Sequence, residues 1–462
     1  MRKKITHFAL LILNKRVNLI GFFLLLSFPS FAADPSFGGT SNQRHEQMKK
    51  NLHSERKHKT WCENPYCTGD WGGVRSKLAR QGLTIGLGYM SNGIAAIRGG
   101  RKRGFAHGGV LSMDLNMDIG KRTPLKGLSF YTSMRLWKIG SGLGAYKIGT
   151  QYPIQQVFGR GTIRLNECYF KQEMFEKLFV FKVGRLSAGN DFIQSNLYYQ
   201  FMNGGFDGNP IAALLNGPFT SYPLVAWGCF AQFRPSALSI LGKIGAYVAD
   251  RRRVSHHHWG QNWSFRGSDG VQLITEWAYE LGKNKRHPRY PGSYRCGCFY
   301  YTKSVGEKYL GGQYVGNRGC YFLIDQMVYQ PEGAGTTRGL TPFIALLFAP
   351  KDRNLFPFFL TTGLVYKGLF PSRPKDFTNL GWAYGRYSRD RSRAQMIGKR
   401  AHQEGSLRTQ SQDFEAVLEC NHWFRMSPWL AFSPDFQYII HPKGLRAVKN
   451  AWVLGIQMKM LL

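Results

Sequence analysis

Residues 110–120, VLSMDLNMDIG, alternate strictly between apolar and polar side chains, which sharply limits what the chain can fold into. Successive side chains of a β-strand point to opposite faces, whereas a helix would spread this pattern around its circumference. The apolar set is Leu111, Met113, Leu115, Met117 and Ile119, and the polar set is Ser112, Asp114, Asn116 and Asp118. About ten residues at roughly 3.3 Å each span the apolar layer of an outer membrane when tilted by about 40°. The strand fits either a soluble sandwich, with its apolar face buried, or a transmembrane barrel, with that face turned to lipid.

The first 32 residues have the composition of a secretory signal peptide. Basic residues precede an apolar run at 17–28, and Ser30 and Ala32 supply the small residues that a signal peptidase reads. A membrane anchor is the alternative, but this run is too short to cross a bilayer comfortably. Cleavage after Ala32 removes five basic and no acidic residues, which leaves a net charge of +30. Residues 33–68 then read as a polar extension that precedes the folded domain.

No later segment offers some eighteen consecutive apolar residues, so the sequence predicts no membrane-spanning helix. Barrel strands are only half apolar and escape a hydropathy scan, so a membrane protein is still compatible with this composition. The chain has 462 residues, more than most single soluble domains, yet no linker divides it. This continuity favours one large barrel over residues 69–462.

The net charge of the whole chain is +35, with basic clusters at 98–103, 251–253, 283–289 and 386–400. Basic proteins often bind nucleic acid, because neutralised phosphates release counterions. An exported chain seldom meets nucleic acid, so we expect no such partner. Two interpretations remain open: loops that face anionic lipid headgroups, and a lumen that attracts anions.

Eight cysteines in an exported chain can oxidise. Cys62 and Cys67 flank a short Pro-containing segment and are the best candidates for a local disulfide. Cys296 and Cys298 are too close in sequence to pair without strain, so we expect them to share one face of a strand. The remaining four, which lie in strand-like stretches, are either buried thiols or links between chains: Cys168, Cys229, Cys320 and Cys420. The spacing is not that of a zinc site.

A family resemblance begins at residues 69–73, GDWGG, followed by Arg75, Leu78 and Gly82 before a strand. Asp70 is placed to cap a short helix over Val74–Arg80, which Gly82 ends. Further similar segments follow in the same order at 178–186, Asn203, Tyr222-Pro223, 319–326, 339–376 and 429–443. Together these motifs resemble the carbohydrate-selective porin family of the OprB type. The resemblance covers residue 69 to the end of the chain.

The resemblance implies a closed all-β antiparallel transmembrane barrel, and the periodicity supports strands at about sixteen places. Such a porin passes sugars by passive diffusion across the outer membrane, without a cofactor. Residues 190–223 are long and lack alternation, so we expect them to fold inward and narrow the lumen. Aromatic residues cluster at 198–199, 299–301 and 356–359, as interfacial girdles would. Strand 340–349 is apolar on both faces, so its direction cannot be read.

The sequence offers no nucleophile, phosphate-binding loop or metal motif that predicts an enzyme. His256, His257 and His258 are consecutive, and adjacent strand positions point to opposite faces, so an exposed loop is favoured over a metal site. Lumen candidates come instead from the polar faces of strands: Asp114, Asn116, Arg135, Trp137, Lys182, Lys243, Tyr247, Glu276 and Lys459. Arg135 with Trp137, and Lys243 with Tyr247, combine a charge with an aromatic ring, as sugar binding requires. The alternative for each of these nine candidates is a solvated residue of the barrel wall with no selective role.

The predicted partners are sugars as solutes and the lipids of the outer membrane. The oligomeric state stays open, a homo-oligomer included. Counting Asp118 with the lumen candidates leaves one more positive than negative charge, which predicts a modest preference for anions. Two alternatives to a sugar channel remain: a general or anion-preferring porin, and a cysteine-crosslinked barrel that serves as a structural element of the envelope.

Overall fold

The computed structural model describes residues 60–138, 143–157, 161–235, 238–249, 270–282, 290–332, 337–401 and 411–462. The predicted signal peptide, most of the polar extension and the three consecutive histidines lie outside these residues. In the described part of the chain, no helix is both long and apolar enough to cross a membrane.

The described residues form sixteen antiparallel strands that close into one barrel. The strands are β1 (Leu83–Arg98), β2 (Gly104–Asp118), β3 (Leu128–Lys138), β4 (Thr162–Met174), β5 (Phe179–Leu186), β6 (Ala226–Phe233), β7 (Ile240–Val248), β8 (Val271–Leu281), β9 (Gly292–Glu307), β10 (Gln313–Gln326), β11 (Gly339–Phe348), β12 (Phe358–Lys367), β13 (Phe377–Arg386), β14 (Phe414–Ser427), β15 (Leu430–Ile440) and β16 (Ala451–Leu461). Each strand pairs with its sequence neighbours, and β1 pairs with β16 from Gly88↔Leu461 to Arg98↔Trp452. Closure provides hydrogen-bond partners for the backbone N–H and C=O groups of both end strands, which is necessary inside a bilayer. The predicted fold class and strand number are confirmed.

The helices among the described residues are short. They are α1 (Val74–Arg80), α2 (Ala212–Leu215), α3 (Arg389–Ala401) and a π-helix at Leu143–Ile148, with single 3₁₀ turns elsewhere. The carboxylate of Asp70 accepts a hydrogen bond from the main-chain N–H of Ser76 at 2.8 Å, inside the first turn of α1. Gly82 follows α1 with φ of +90°, a conformation that favours glycine and ends the helix. The predicted helix is therefore present with its predicted signals.

Strand β2 has the two faces that its alternation predicted. Asp114 and Asn116 are buried inside the barrel, whereas Met117 is exposed on the outside and Leu115 is half-exposed. The final strand behaves in the same way, with Leu454 outside and Gln457 inside. The apolar residues form an outer band rather than a dry core between two sheets, so the sandwich alternative is wrong.

The segment before α1 packs against the last strand. The guanidinium group of Arg75 lies between the rings of Tyr66 and Trp71, at 3.8 and 4.2 Å from their centroids. It donates a hydrogen bond to the main-chain oxygen of Leu462 at 2.7 Å, and the N–H of Cys67 donates to Leu461 at 2.9 Å. These contacts attach the N-terminal segment to the end of the barrel that carries the short turns.

Candidate functional site

The long connection between β5 and β6, residues 187–225, folds into the barrel, and we call it the inner loop. The amine of Lys459 donates to the main-chain oxygen of Tyr199 at 3.2 Å, and the hydroxyl of Thr361 donates to that of Gly205 at 2.9 Å. Its hydrogen bonds reach the inner faces of β7, β8, β9, β10, β12, β14, β15 and β16. The inward folding predicted for residues 190–223 is therefore observed.

Aromatic packing fills the space between the inner loop and the wall. Phe201 stacks on Phe206 with ring centroids 4.6 Å apart, and Tyr198 contacts Phe343 of β11 at 5.4 Å. This packing explains why β11 is apolar on both faces: Phe343 points inward against the loop. The expectation of interfacial girdles at 198–199, 299–301 and 356–359 is wrong for Tyr198, Phe299, Tyr301, Phe356 and Phe359, which are buried, whereas Tyr300 is exposed on the outer face. Tyr198 and Phe356 are fully buried inside the barrel, because the inner loop needs apolar contacts to stay there.

A second connection, residues 143–157 between β3 and β4, also enters the barrel. The carboxylate of Glu415 on β14 accepts hydrogen bonds from the main-chain N–H groups of Gln151 and Tyr152, at 2.9 and 3.1 Å. The amide of Gln437 donates to the oxygen of Ile154 at 2.9 Å. The two loops therefore narrow the lumen together.

The structure places eight of the nine predicted lumen residues on inner faces and nearly excludes them from solvent: Asp114, Asn116, Arg135, Lys182, Lys243, Tyr247, Glu276 and Lys459. For the ninth, Trp137, the backbone of β3 pairs with Val110 and Thr162, and the side chain lies outside the described part. The eight side chains separate into a group on β2 and β3 and a larger group around the inner loop.

The first group centres on an ion pair between Arg135 and Asp114, whose closest N–O distance is 3.0 Å. Arg135 also donates to the main-chain oxygens of Met113 and Met134, at 3.1 and 2.9 Å. Its guanidinium carbon lies 5.5 Å from the ring centroid of Tyr222, which belongs to the inner loop. A positive group and an aromatic ring thus face each other between the wall and the loop.

The second group anchors the start of the inner loop. Lys243 pairs with Glu276 at 2.6 Å and donates to the main-chain oxygen of Asp191 at 2.7 Å. The Asp191 carboxylate pairs with Lys182 at 2.6 Å. Glu276 in turn accepts the main-chain N–H of Ile193 at 3.1 Å. Burying these charges is costly unless they are paired, and here every one of them is paired.

The strand pattern of the sequence did not predict several residues that face the interior of the barrel. Arg164 on β4 is buried on the inner face and is the direct cross-strand partner of Arg135. Alternation failed here because the register of β4 shifts between the partners of Thr132 and Met134. A bulge of this kind turns two consecutive residues to one side, and Asn166 and Glu167 are both buried.

A cavity of about 560 Å³ lies beside the start of the inner loop, near the turns that follow β6, β8 and β10. Arg295 and Asp325 form an ion pair in its wall, and the hydroxyl of Ser195 donates to Asp325 at 2.7 Å. Gln194 of the inner loop also lines it. The cavity therefore has charged groups in a mixed polar and apolar wall, and it is large enough for a small solute.

Asp207 of the inner loop lies among charged groups. Burial raises the pKa of its carboxyl to about 7, more strongly than nearby Lys459 and a hydrogen bond from Gln156 lower it, and the charge of Glu419 raises it further. The side chain is half-buried and contacts the amide of Gln156 on the second loop. Its charge state therefore changes near neutral pH at the junction of the two loops.

The described ranges contain no cluster of His, Cys, Asp and Glu able to hold a metal ion. None of the eight cysteines is buried. For Cys168, Cys229, Cys320 and Cys420, the interpretation as buried thiols is wrong, because these residues lie on the outer face of the barrel, and the alternative of links between chains stays a prediction. Cys296 and Cys298 are both exposed on one face of β9, as predicted. The Cys62–Cys67 disulfide stays a prediction.

A closed sixteen-strand barrel whose lumen is narrowed by an inward loop defines the porin class. The model of the protein family described as "Carbohydrate-selective porin, OprB family" matches this chain over residues 102–461. Two relatives are similar over most of their length. Porin B of Pseudomonas aeruginosa is 27% identical over 85% of this chain and 90% of the relative, and the putative porin QuiX of Acinetobacter baylyi is 25% identical over 87% and 94%.

The high-pH structure of Pseudomonas putida OprB superposes with a TM-score of 0.81, at 23% identity, over 87% of this chain and 100% of that one. This similarity supports the fold. The chain belongs to the carbohydrate-selective porin, OprB family, and its family and fold are those of channels.

Proposed function

We propose that sugars diffuse passively through the space between the inner loop and the wall formed by β2, β3, β4 and β5. The inner loop directs most of its hydrogen bonds to β7–β16, which leaves this wall as the opposite side of the passage. Arg135 and Arg164 lie on the inner face of this wall. The observation that carries the proposal is the exposed ring of Tyr222, which the inner loop holds against this wall with its centroid 5.5 Å from the guanidinium carbon of Arg135.

This pairing suits a sugar because a pyranose has an apolar ring face and a rim of hydroxyls. The exposed ring of Tyr222 offers a surface for the ring face. Guanidinium groups present up to five N–H donors in a fixed geometry, and these can exchange hydrogen bonds with hydroxyls as the solute moves. No reaction is involved, and the concentration gradient drives the flux.

Swelling of proteoliposomes in iso-osmotic sugar tests the proposal. Arg164→Ala and Tyr222→Ala should slow the uptake of monosaccharides relative to the wild type. Arg318→Ala is the matched control, because Arg318 is exposed on the outer face of β10. If the wild-type protein causes no swelling, the barrel is not a sugar channel. Normal swelling in both lumen variants would place the passage elsewhere.

An anion-preferring pore is the second candidate, favoured by the two guanidinium groups on the inner faces of β3 and β4. Only charges within about a Debye length, roughly 8 Å at physiological salt, act on a passing ion. The ion pairs at Asp114 and Glu276 cancel much of the interior charge, so the preference should be modest despite the net charge of +35. Reversal potentials in a salt gradient separate this candidate from a neutral channel.

The remaining proposals concern export. We infer that residues 1–32 are removed as a signal peptide, that residues 69–462 form the membrane domain, and that lipids of the outer membrane surround its apolar band. N-terminal sequencing of the membrane-bound protein, with Ala33 as the expected first residue, tests the cleavage site.

A further inference from the structure

Two of the eight cysteines lie directly opposite each other in the barrel wall. Cys298 on β9 and Cys320 on β10 are register partners, and the register runs without a shift from this pair to Gly292↔Gln326. The irregularity in this strand pair lies on the other side, between Val315 and Asn317. The two cysteines are therefore held in a regular antiparallel ladder.

Residues opposite each other in antiparallel strands form either hydrogen-bonded or non-hydrogen-bonded pairs. The hydrogen bond at the end of the β9–β10 ladder shows which kind Cys298 and Cys320 form. The main-chain N–H of Met327 donates to the oxygen of Pro291 at 2.9 Å, so this is a hydrogen-bonded pair. Hydrogen-bonded and non-hydrogen-bonded pairs alternate along antiparallel strands. An odd number of steps separates Pro291 from Cys298, so Cys298↔Cys320 is a non-hydrogen-bonded pair. In such pairs the Cα atoms are about 4.5 Å apart and the side chains are closest.

Both thiols lie on the outer face. Their neighbours Phe299 and Tyr321 are buried inside the barrel, whereas Cys298 is exposed and Cys320 is half-buried. A disulfide requires Cα atoms about 4.4 to 6.8 Å apart with the Cβ atoms on the same side, and this pair meets both conditions. Cys296 shares the face, but it lies opposite Phe322 and is a diagonal neighbour of Cys320, at roughly 7–8 Å.

We propose that Cys298 and Cys320 form an intrachain disulfide across β9 and β10. The two thiols lose two protons and two electrons, and a dithiol–disulfide carrier protein of the exporting compartment accepts them as its own disulfide is reduced to two thiols. The reaction passes through a mixed disulfide between one cysteine and the carrier. The bond forms independently of what the channel transports.

The disulfide would fix strands that also hold the inner loop. Asn317 on β10 donates to the main-chain oxygen of Asn216 at 2.8 Å, and the hydroxyl of Tyr321 donates to Glu276 at 3.1 Å. A covalent link on the outer face thus lies directly behind two contacts on the inner face. Surrounded by the apolar band, it would also be shielded from water-soluble reductants.

The test is peptide mapping of the full-length protein from membranes, alkylated with N-ethylmaleimide during denaturation and digested with trypsin without reduction. Cleavage after Arg295, Lys303, Arg318 and Arg338 releases peptides 296–303 and 319–338. We expect these peptides joined, with a mass two hydrogen atoms below their sum plus one N-ethylmaleimide on Cys296, and separated by reduction. Cys229 and Cys420 face no cysteine in the register and should be alkylated in the same sample.

Variants identify the partners. Cys298→Ser and Cys320→Ser should each abolish the joined species, and Cys296→Ser should retain it. Alkylated Cys320 in the folded wild-type protein would overturn the proposal, whether or not any variant folds. A joined species that persists in Cys298→Ser would overturn it as well, because Cys296 would then be the partner.

Discussion

Glu419 on β14 accepts hydrogen bonds from the main-chain N–H groups of Met202 and Asn203, at 2.6 and 3.0 Å. A single carboxylate on the barrel wall thereby holds the middle of the inner loop, 217 residues away from Met202 in sequence. Asn203 adds a second attachment by donating from its side chain to Gln437 on β15 at 2.9 Å. The width of the lumen therefore depends on wall residues that do not themselves face the proposed passage.

Replacing Glu419 with Ala should loosen the inner loop. Hydrogen bonds to charged groups contribute about 1.5–3 kcal/mol each, and this change removes two. We expect larger and noisier single-channel conductance in planar bilayers. Glu419→Gln keeps one carbonyl acceptor and should have a smaller effect. Wild-type conductance in Glu419→Ala would show that the loop is held without this carboxylate.

Arg135→Ala should shift ion selectivity toward cations. The substitution removes one positive charge from the lumen and leaves Asp114 without its guanidinium partner. We expect the reversal potential in a salt gradient to move in the cation direction, with slower sugar uptake because the approach to Tyr222 is lost. Arg135→Lys is the matched control for charge, and Asp114→Asn should move the potential the other way. An unchanged potential in both Arg135→Ala and Asp114→Asn would place this pair outside the ion path.

The strand faces could be predicted because alternation is local information. The alternation of residues 110–120 predicts which side chains point into the barrel and which point outward. Asp114 and Asn116 are inside as expected. The helix at Val74–Arg80 could be predicted for the same reason, because the capping residue Asp70 and the terminating Gly82 lie close to it in sequence.

The contacts of the inner residues could not be predicted in the same way. Glu419 and Met202 contact each other only because the barrel closes and the inner loop crosses it. No local sequence pattern predicts a contact between residues so far apart in sequence. Arg164 was missed because a bulge in β4 breaks the alternation. The clusters at 198–199 and 356–359 were misassigned because aromatic side chains suit a membrane interface and a packed interior equally well.

The buried pair of Lys243 and Glu276 should be strongly coupled. Removing one partner from a buried ion pair costs about 3–5 kcal/mol, because a charge is left uncompensated. Lys243→Ala should therefore lower the urea midpoint of unfolding in detergent markedly, and the double variant with Glu276→Ala should lose less than the sum of the single variants. The exposed pair of Arg446 and Asp413, 2.8 Å apart, is the control. Exposed pairs contribute only about 0.2–1 kcal/mol, so Arg446→Ala should have little effect. Additive losses at Lys243 and Glu276 would contradict the coupling.

The closed position of the inner loop should weaken as pH rises toward neutrality. Burial raises the pKa of Asp207 from 3.8 to about 7, so the folded loop favours the protonated carboxyl. Below pH 3.8 the group is protonated whether the loop is closed or open, and it imposes no penalty. Between pH 3.8 and about 7 an open loop would release the proton while the closed loop keeps it, so closure becomes progressively less favourable, and the loss is complete above about 7. We expect channel conductance and its noise to rise across this window, because burial and the charge of Glu419 disfavour ionised Asp207 in the closed loop by more than Lys459 and the hydrogen bond from Gln156 favour it. Asp207→Asn stays neutral at every pH and should flatten that dependence while keeping the acid-side conductance. A pH dependence that is identical in Asp207→Asn and the wild type would assign the titration to another group.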